Sequence, residues 1–199
     1  MGILTEAELR ALTQSDAVPT SDFDLNEDAA RPTGRTIRPA AVLIAVENLE
    51  TGGNVILTKR SSRLKHHPGQ IALPGGKVDP ADDGPVDAAL REASEEVGLP
   101  RTAVRVLGSF APHETVTAFS VTPVLGLVTA PFDDRPEVGE VAEVFRVPLA
   151  HVLDPANFRV ESRTWQGRQR YYYAVPYGPF YIWGATARIF RAIAAQVSK

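Results

Sequence analysis

The sequence contains no cysteine, which excludes disulfides, thiol nucleophiles and thiolate metal sites together. Any metal must therefore be held by oxygen or imidazole ligands. No run of about eighteen apolar residues is present, so no membrane-spanning helix is expected. The opening MGILTEAELR carries acids where a secretory leader has a basic and then an apolar stretch. These absences point to a cytoplasmic chain with no membrane partner. A basic excess is also missing: the net charge is −3, which does not suit a nucleic-acid partner. Internal repeats are absent as well. What remains is 199 residues, 44% hydrophobic and 23% charged, enough for one globular domain with a sizeable core.

Charge is unevenly spread. Residues 1–30 hold seven acids (Glu6, Glu8, Asp16, Asp22, Asp24, Glu27, Asp28) and one base, Arg10. That leader carries −6, which leaves +3 for the rest of the chain. A mildly basic body suits a small anionic substrate, and the plain reading of the leader is a solvated acidic tail. Residues 1–35 are accordingly read as an acidic N-terminal extension and residues 36–199 as the functional domain. Residues 4–13 suit a short amphipathic helix, and Pro19, Pro32 and small polar residues suit an extended connector, so the core is expected to begin near Arg35.

RPAAVLIAV (38–46) and VILTKR (55–60) are β-rich runs separated by Gly52-Gly53-Asn54, a hairpin signal. Residues 61–84, rich in glycine and proline, should be mostly loop. PVDAALREASEEV (85–97) is the clearest helix: Pro85 suits its first position, Gly98 follows its end and Pro100 closes it. Further strands are expected at 103–110, 120–129, 143–149 and 170–176, with an amphipathic helix at 185–197. Mixed strands around one well-marked helix, with a second at the C-terminus, suggest a mixed sheet between helices.

At about 100° per residue, Val86, Ala89, Leu90, Ala93 and Val97 form the apolar face of the 85–97 helix, with Glu92, Glu95 and Glu96 expected on the opposite side. Glutamates three and four apart repel by roughly 0.2–0.5 kcal/mol per pair. Taken alone, three of them describe a solvated acidic face more readily than an oxygen-ligand site for a hard divalent cation. Context decides. A Gly75-Gly76 turn precedes the helix, and the string REASEEVGL (91–99) resembles the signature of the Nudix family, Gx5Ex7REUxEExGU with U aliphatic. Arg91, Glu92, Glu95, Glu96, Gly98 and Leu99 match its second half. In the first half the acidic position falls on Asp83 and the glycine position on Lys77, so the loop holds one extra residue.

LTKRSSRLKHHPGQIALPGGKVD (57–79) resembles the additional signature of the Nudix coenzyme A pyrophosphatases, roughly LLTxRSxxLRxHxGQIxFPGGxxD. Lys65 stands for an arginine and Leu73 for a phenylalanine, and that subfamily tolerates the longer loop. Taken alone, Arg60, Arg63, Lys65, His66 and His67 concentrate positive charge where a multiply phosphorylated substrate needs it. A zinc site at His66-His67 lacks a suitably spaced third ligand. Gly-Gly-Lys at 75–77 is not a P-loop, because Ile71 occupies the first glycine position and Val78 follows the lysine. Tyr171, Tyr172, Tyr173, Trp165 and Trp183 are read mostly as packing, and His113-Glu114 as a loop near the site without an assigned role.

The resemblance implies a Nudix fold, an α/β/α sandwich with a mixed β-sheet. It also implies hydrolysis of the pyrophosphate of coenzyme A to 4′-phosphopantetheine and adenosine 3′,5′-bisphosphate. Glu92, Glu95 and Glu96 would hold magnesium or manganese, and Arg91 would orient them. Glu140, in EVGEVAEVF (137–145), is the candidate later-loop glutamate, as ligand or general base. Arg60, Arg63, Lys65, His67, Gln70, Gly75 and Gly76 are the candidate substrate contacts. The partner would be a small nucleotide derivative, with a homodimer left open. Hydrolysis of ADP-ribose or a dinucleoside polyphosphate, or a non-catalytic Nudix-like binding module, are the alternative readings.

Overall fold

A computed structural model describes residues 2–15, 17–26, 34–165 and 167–197; Asp16, Glu27, Asp28 and Pro32 of the leader lie outside them. In chain order the described elements begin with α1 (Glu6–Thr13), β1 (Thr20–Ser21), β2 (Arg38–Glu47), β3 (Asn54–Arg60), β4 (Ile71–Ala72), β5 (Gly75–Lys77) and α2 (Pro85–Val97). They continue with β6 (Val104–Ser109), β7 (His113–Glu114), β8 (Phe119–Val128), β9 (Val141–Pro148), α3 (Leu149–Val152), β10 (Arg159–Trp165), β11 (Arg168–Ala174) and α4 (Ala185–Val197).

Strand alternation builds the layers. Successive side chains of a strand point to opposite faces. On β2, Ala41, Leu43 and Ala45 turn to one side, where they pack with Ile56, Val124 and the buried Ala88, Ala89, Ala93 and Val97 of α2. Ala40, Ile44 and Val46 turn to the other, against Val55, Leu57, Leu125 and the α4 residues Ile189, Phe190 and Ile193. The alanines keep α2 close to the sheet, and burying each methyl contributes about 0.8 kcal/mol. The result is the expected mixed sheet between helices. Nine strands form it along β1-β7-β8-β2-β3-β4, with β5 on β2, β6 on β8 and β9 on β3. The β2–β8 and β1–β7 pairs are parallel. The hairpin expected after Glu47 forms, with Val46 opposite Val55. β10 and β11 make a separate antiparallel ribbon.

Two expectations are corrected. The core does not begin near Arg35: Leu9 of α1 is 1% exposed and belongs to the α4-side cluster. Thr20 and Ser21 add a parallel strand beside His113 and Glu114. The sequence disguises this because α1 is short and carries two acids, Glu6 and Glu8, in its first turn, while Leu9, with Leu4 and Leu12 beside it, docks on residues far along the chain such as Leu107. His113, expected in a loop near the site, is fully buried in β7. Its ring nitrogens meet Thr20 Oγ1 at 2.9 Å and Asp22 Oδ1 at 3.1 Å, so it ties the N-terminal segment to the sheet. β10 was not expected either, since its residues face solvent and carry no apolar alternation.

Candidate catalytic centre

The centre is built where β5 crosses β2. Pairing of Ala41 with Gly76 and Val42 with Gly75 lays the glycine turn against the central strand and beneath α2. Both glycines are required by close approach. At Gly75, whose φ is +156°, a Cβ would sit 2.3 Å from the Ala41 carbonyl oxygen. At Gly76 a Cβ would sit 2.3 Å from a carboxylate oxygen of Glu92. The missing side chains let Glu92 lie over the turn, while the Gly75 N–H donates to Glu96 Oε2 at 3.1 Å.

Glu96 is only 5% exposed, which corrects its expected place among solvent-facing acids. The helix geometry gives the reason: at about 100° per residue it falls about 20° from Ala89, on the edge of the apolar stripe. Burial raises its pKa to about 7; the Gly75 N–H opposes the rise, and Glu92 and Glu140 add to it. Burial also raises the Glu92 pKa, against the pull of Arg91. Arg60 lies on the other side of Glu96, with Nη1 4.0 Å from Glu96 Oε1. Its Nε is buried with no hydrogen-bond partner among the described residues.

Arg91 organises the acids. Its Nε and Nη2 fork onto Asp82 at 2.8 and 3.0 Å, its Nη1 reaches Glu92 at 3.1 Å and Glu95 at 3.0 Å, and Nη2 donates to the Lys77 carbonyl at 3.1 Å. The Arg91 hydrogen bond holds the Asp82 carboxyl down at about 2. Sequence reading missed Asp82, because counting back along the signature lands on Asp83. The extra loop residue explains this: Asp83 turns its N–H to Asp87 at the helix start, and Asp82 takes the arginine. Two adjacent acids in a loop one residue too long were the available signal.

Glu140 closes the other side. Glu137 N–H donates to the Glu96 carbonyl at 3.0 Å, and Ser61 N–H to the Glu140 carbonyl at 2.7 Å, so this loop is strapped to the end of α2 and to the end of β3. The Glu140 side chain is exposed, and its charge reaches Glu92 and Glu96. Arg63, Lys65 and His67 are exposed on the 61–70 loop, and Gln70 is half-buried with its carbonyl accepting the Arg60 N–H at 2.9 Å. Of the basic stretch, Arg60 is the residue the structure brings to the glutamates.

The donor set suits a hard divalent cation. Two carboxylates share a partly buried space, and one retains a proton to about neutral pH that a cation would displace. Among the described residues no three acidic or imidazole groups converge on one point, and the exposed Glu95 is engaged by Arg91. A site with one or two carboxylates, completed by water and substrate oxygens, is the usual manner for magnesium.

The raised pKa of Glu96 has a consequence for stability. Between pH 4.5 and about 7 folded Glu96 keeps a proton that the unfolded chain has released, so stability falls as pH rises through that window. The difference amounts to about 3 kcal/mol. Metal-free Glu96→Gln protein should therefore gain on the metal-free wild type as pH goes from 5 to 8, measured by denaturant midpoints. A constant gap across that range would refute the buried-proton account.

Fold, glycine turn and neighbouring carboxylates define an α/β protein with an oxygen-donor site suited to a hard cation. Comparison with known proteins makes that specific: the NUDIX domain family matches residues 37–166. The chain is 37% identical over 190 residues to the uncharacterized Nudix hydrolase NudL of Escherichia coli K12, covering 96% of this chain and 97% of that one. It is 39% identical over 160 residues to NudL of Enterobacter sp. strain 638, covering 80% and 83%. The fold matches the MutT protein of Methanosarcina mazei Go1 with a TM-score of 0.53 at 20% identity, over 84% of this chain and 99% of that one. The chain belongs to the Nudix family and is a pyrophosphohydrolase. Enzymes of this family act on small nucleotide derivatives and generally work with divalent metal ions. None of the described helices is long and apolar enough to cross a membrane.

Proposed function

We propose that this enzyme hydrolyses the pyrophosphate of coenzyme A or its derivatives, in the cytoplasm, with magnesium or manganese. The observation that carries a pyrophosphate substrate is the buried Glu96 beside Glu92, with the Gly75-Gly76 turn beneath and Arg60 at 4.0 Å. Support for coenzyme A comes from the 57–79 stretch, whose resemblance supplies Arg60, Gln70 and both glycines.

Glu92 and Glu96 would hold the cation, with Glu95 able to join when Arg91 releases it. When bound, the cation neutralises the pyrophosphate and makes an attacking water more acidic. Arg91 keeps Glu92 and the loop aspartate in register. Glu140, exposed near the carboxylates, would take the proton of the attacking water. Arg60 faces the reacting phosphates, and Arg63, Lys65 and His67, exposed on the 61–70 loop, would draw the anionic substrate in by their charge. Attack on one phosphorus breaks the bridging P–O bond and releases 4′-phosphopantetheine and adenosine 3′,5′-bisphosphate.

Substrate comparison tests the reading. Coenzyme A should be cleaved with roughly ten to a hundred and fifty times the kcat/KM of dephospho-coenzyme A, the value of one charge-assisted contact of about 1.5–3 kcal/mol to the 3′-phosphate. Equal turnover of the two, or faster cleavage of ADP-ribose than of either, would overturn the coenzyme A assignment and leave the pyrophosphohydrolase.

A further inference from the structure

Since Arg60 is turned to Glu96, a phosphate outside the scissile bond needs another receptor, and a groove one residue along β3 has the chemistry for it. Lys59, Gln70, Arg163, Phe180 and Trp183 line it. The groove adjoins the catalytic centre through the main chain: Lys59 precedes Arg60 on β3, and the Gln70 carbonyl accepts the Arg60 N–H at 2.9 Å.

Arg163 stands out on β10. Its guanidinium carbon lies 5.2 Å from the Trp165 ring centre and 4.7 Å from that of Trp183. Stacking against two indoles restricts a side chain that is otherwise among the most mobile. Tyr172 braces Trp183 edge-on at 5.0 Å. Among the described residues the Arg163 guanidinium has neither an ion-pair nor a hydrogen-bond partner, in contrast to Arg91, Arg146 and Arg188. Its N–H groups are held ready and unspent. Lys59 adds a second cation, and the single acid of the lining is Glu143, opposite Lys59 on β9. The groove is thus net positive, with a fixed planar donor that matches the oxygens of a phosphate.

We propose that this groove receives a phosphomonoester of the nucleotide substrate, anchored by Arg163 with Lys59 beside it. The proposal rests on the reading of a nucleotide that carries a second phosphate outside its pyrophosphate. It assigns specificity to the β10–β11 ribbon, which the catalytic residues do not involve. Arg163 forms two or more N–H bonds to the monoester oxygens, and no covalent bond changes there.

The test uses binding, so that it stands apart from turnover. Full-length enzyme with magnesium is titrated calorimetrically with adenosine 3′,5′-bisphosphate, with adenosine 5′-monophosphate and with inorganic phosphate, while indole fluorescence is followed. Wild type should favour the bisphosphate over the monophosphate by roughly ten- to a hundredfold, with a change in tryptophan emission. Arg163→Gln and Lys59→Met should each reduce that ratio about tenfold or more, whereas Arg63→Ala and Lys65→Ala should leave most of it. Loss of the ratio through Arg63 or Lys65 and not through Arg163 overturns the proposal. So does a wild type that binds the bisphosphate no better than the monophosphate, or no better than free phosphate. If the ratio behaves as expected but coenzyme A is not hydrolysed, the groove stands and the substrate assignment fails. If coenzyme A is hydrolysed but the Arg163→Gln ratio equals that of wild type, the groove fails and the substrate assignment stands.

Discussion

Glu96→Gln is expected to lower kcat at least a hundredfold while leaving the protein folded. The amide keeps the size of the side chain and an oxygen for the Gly75 N–H, now 3.1 Å from Glu96 Oε2. What it removes is the charge buried between Glu92, Arg60 and the field of Glu140. Losing a group that merely supports a metal ligand typically costs ten- to a hundredfold, and losing the ligand itself should exceed that. Magnesium or manganese should raise the melting temperature of wild type, because binding to the folded state alone stabilises it, and this rise should disappear in the variant. Near wild-type activity at saturating magnesium would remove Glu96 from the centre. An unchanged metal response with lost activity would instead give it a role in proton transfer.

Alanine at Gly75 and at Gly76 should fail in different ways, and the pair separates scaffold from chemistry. The Gly75→Ala methyl would meet main-chain atoms of the central strand, 2.3 Å from the Ala41 oxygen and 2.6 Å from the Val42 Cα. Those atoms are fixed by pairing with β8 and cannot retreat, so destabilisation of about 3 kcal/mol or more is expected in urea melts. The Gly76→Ala methyl meets instead the Glu92 carboxylate, the free end of a side chain that can swing away. The fold should then lose about 1 kcal/mol or less while kcat drops at least tenfold. Equal stability losses in the two variants, with Gly76→Ala fully active, would contradict the placement of Glu92 over the turn.

Much of this centre is legible before folding because its signals are local. Pro85, Gly98 and Pro100 mark the ends of α2, and its bounds are those read from the chain. β2 and β3 follow from apolar runs flanking a glycine turn, and α4 from its 3.6-residue period. Other features depend on which surfaces meet. Whether Glu96 counts as exposed or buried turns on an angle of about 20° at the edge of a stripe, and on a glycine turn docking against that edge. Asp82 and Asp83 are indistinguishable in composition, and the length of one loop chooses between them. Arg60 reads as one of five bases in a row; pairing of β3 with β9 and closure of the 61–70 loop turn it alone towards α2.

The sequence by itself determined the helices α2 and α4, the hairpin strands β2 and β3, the family and the neighbours Arg91, Glu92, Glu95 and Glu96, all properties of residues close along the chain. Only the tertiary structure decided that Glu96 is buried and protonated to about neutral pH, and that Arg60 and Gly75 meet it from 36 and 21 positions away. It also decided that the acidic leader joins the core through Leu9 and His113. The physical reason is common to all three. Desolvation and ion pairing depend on distance in space, and the sequence encodes distance only along the chain until the sheet has brought remote residues into register.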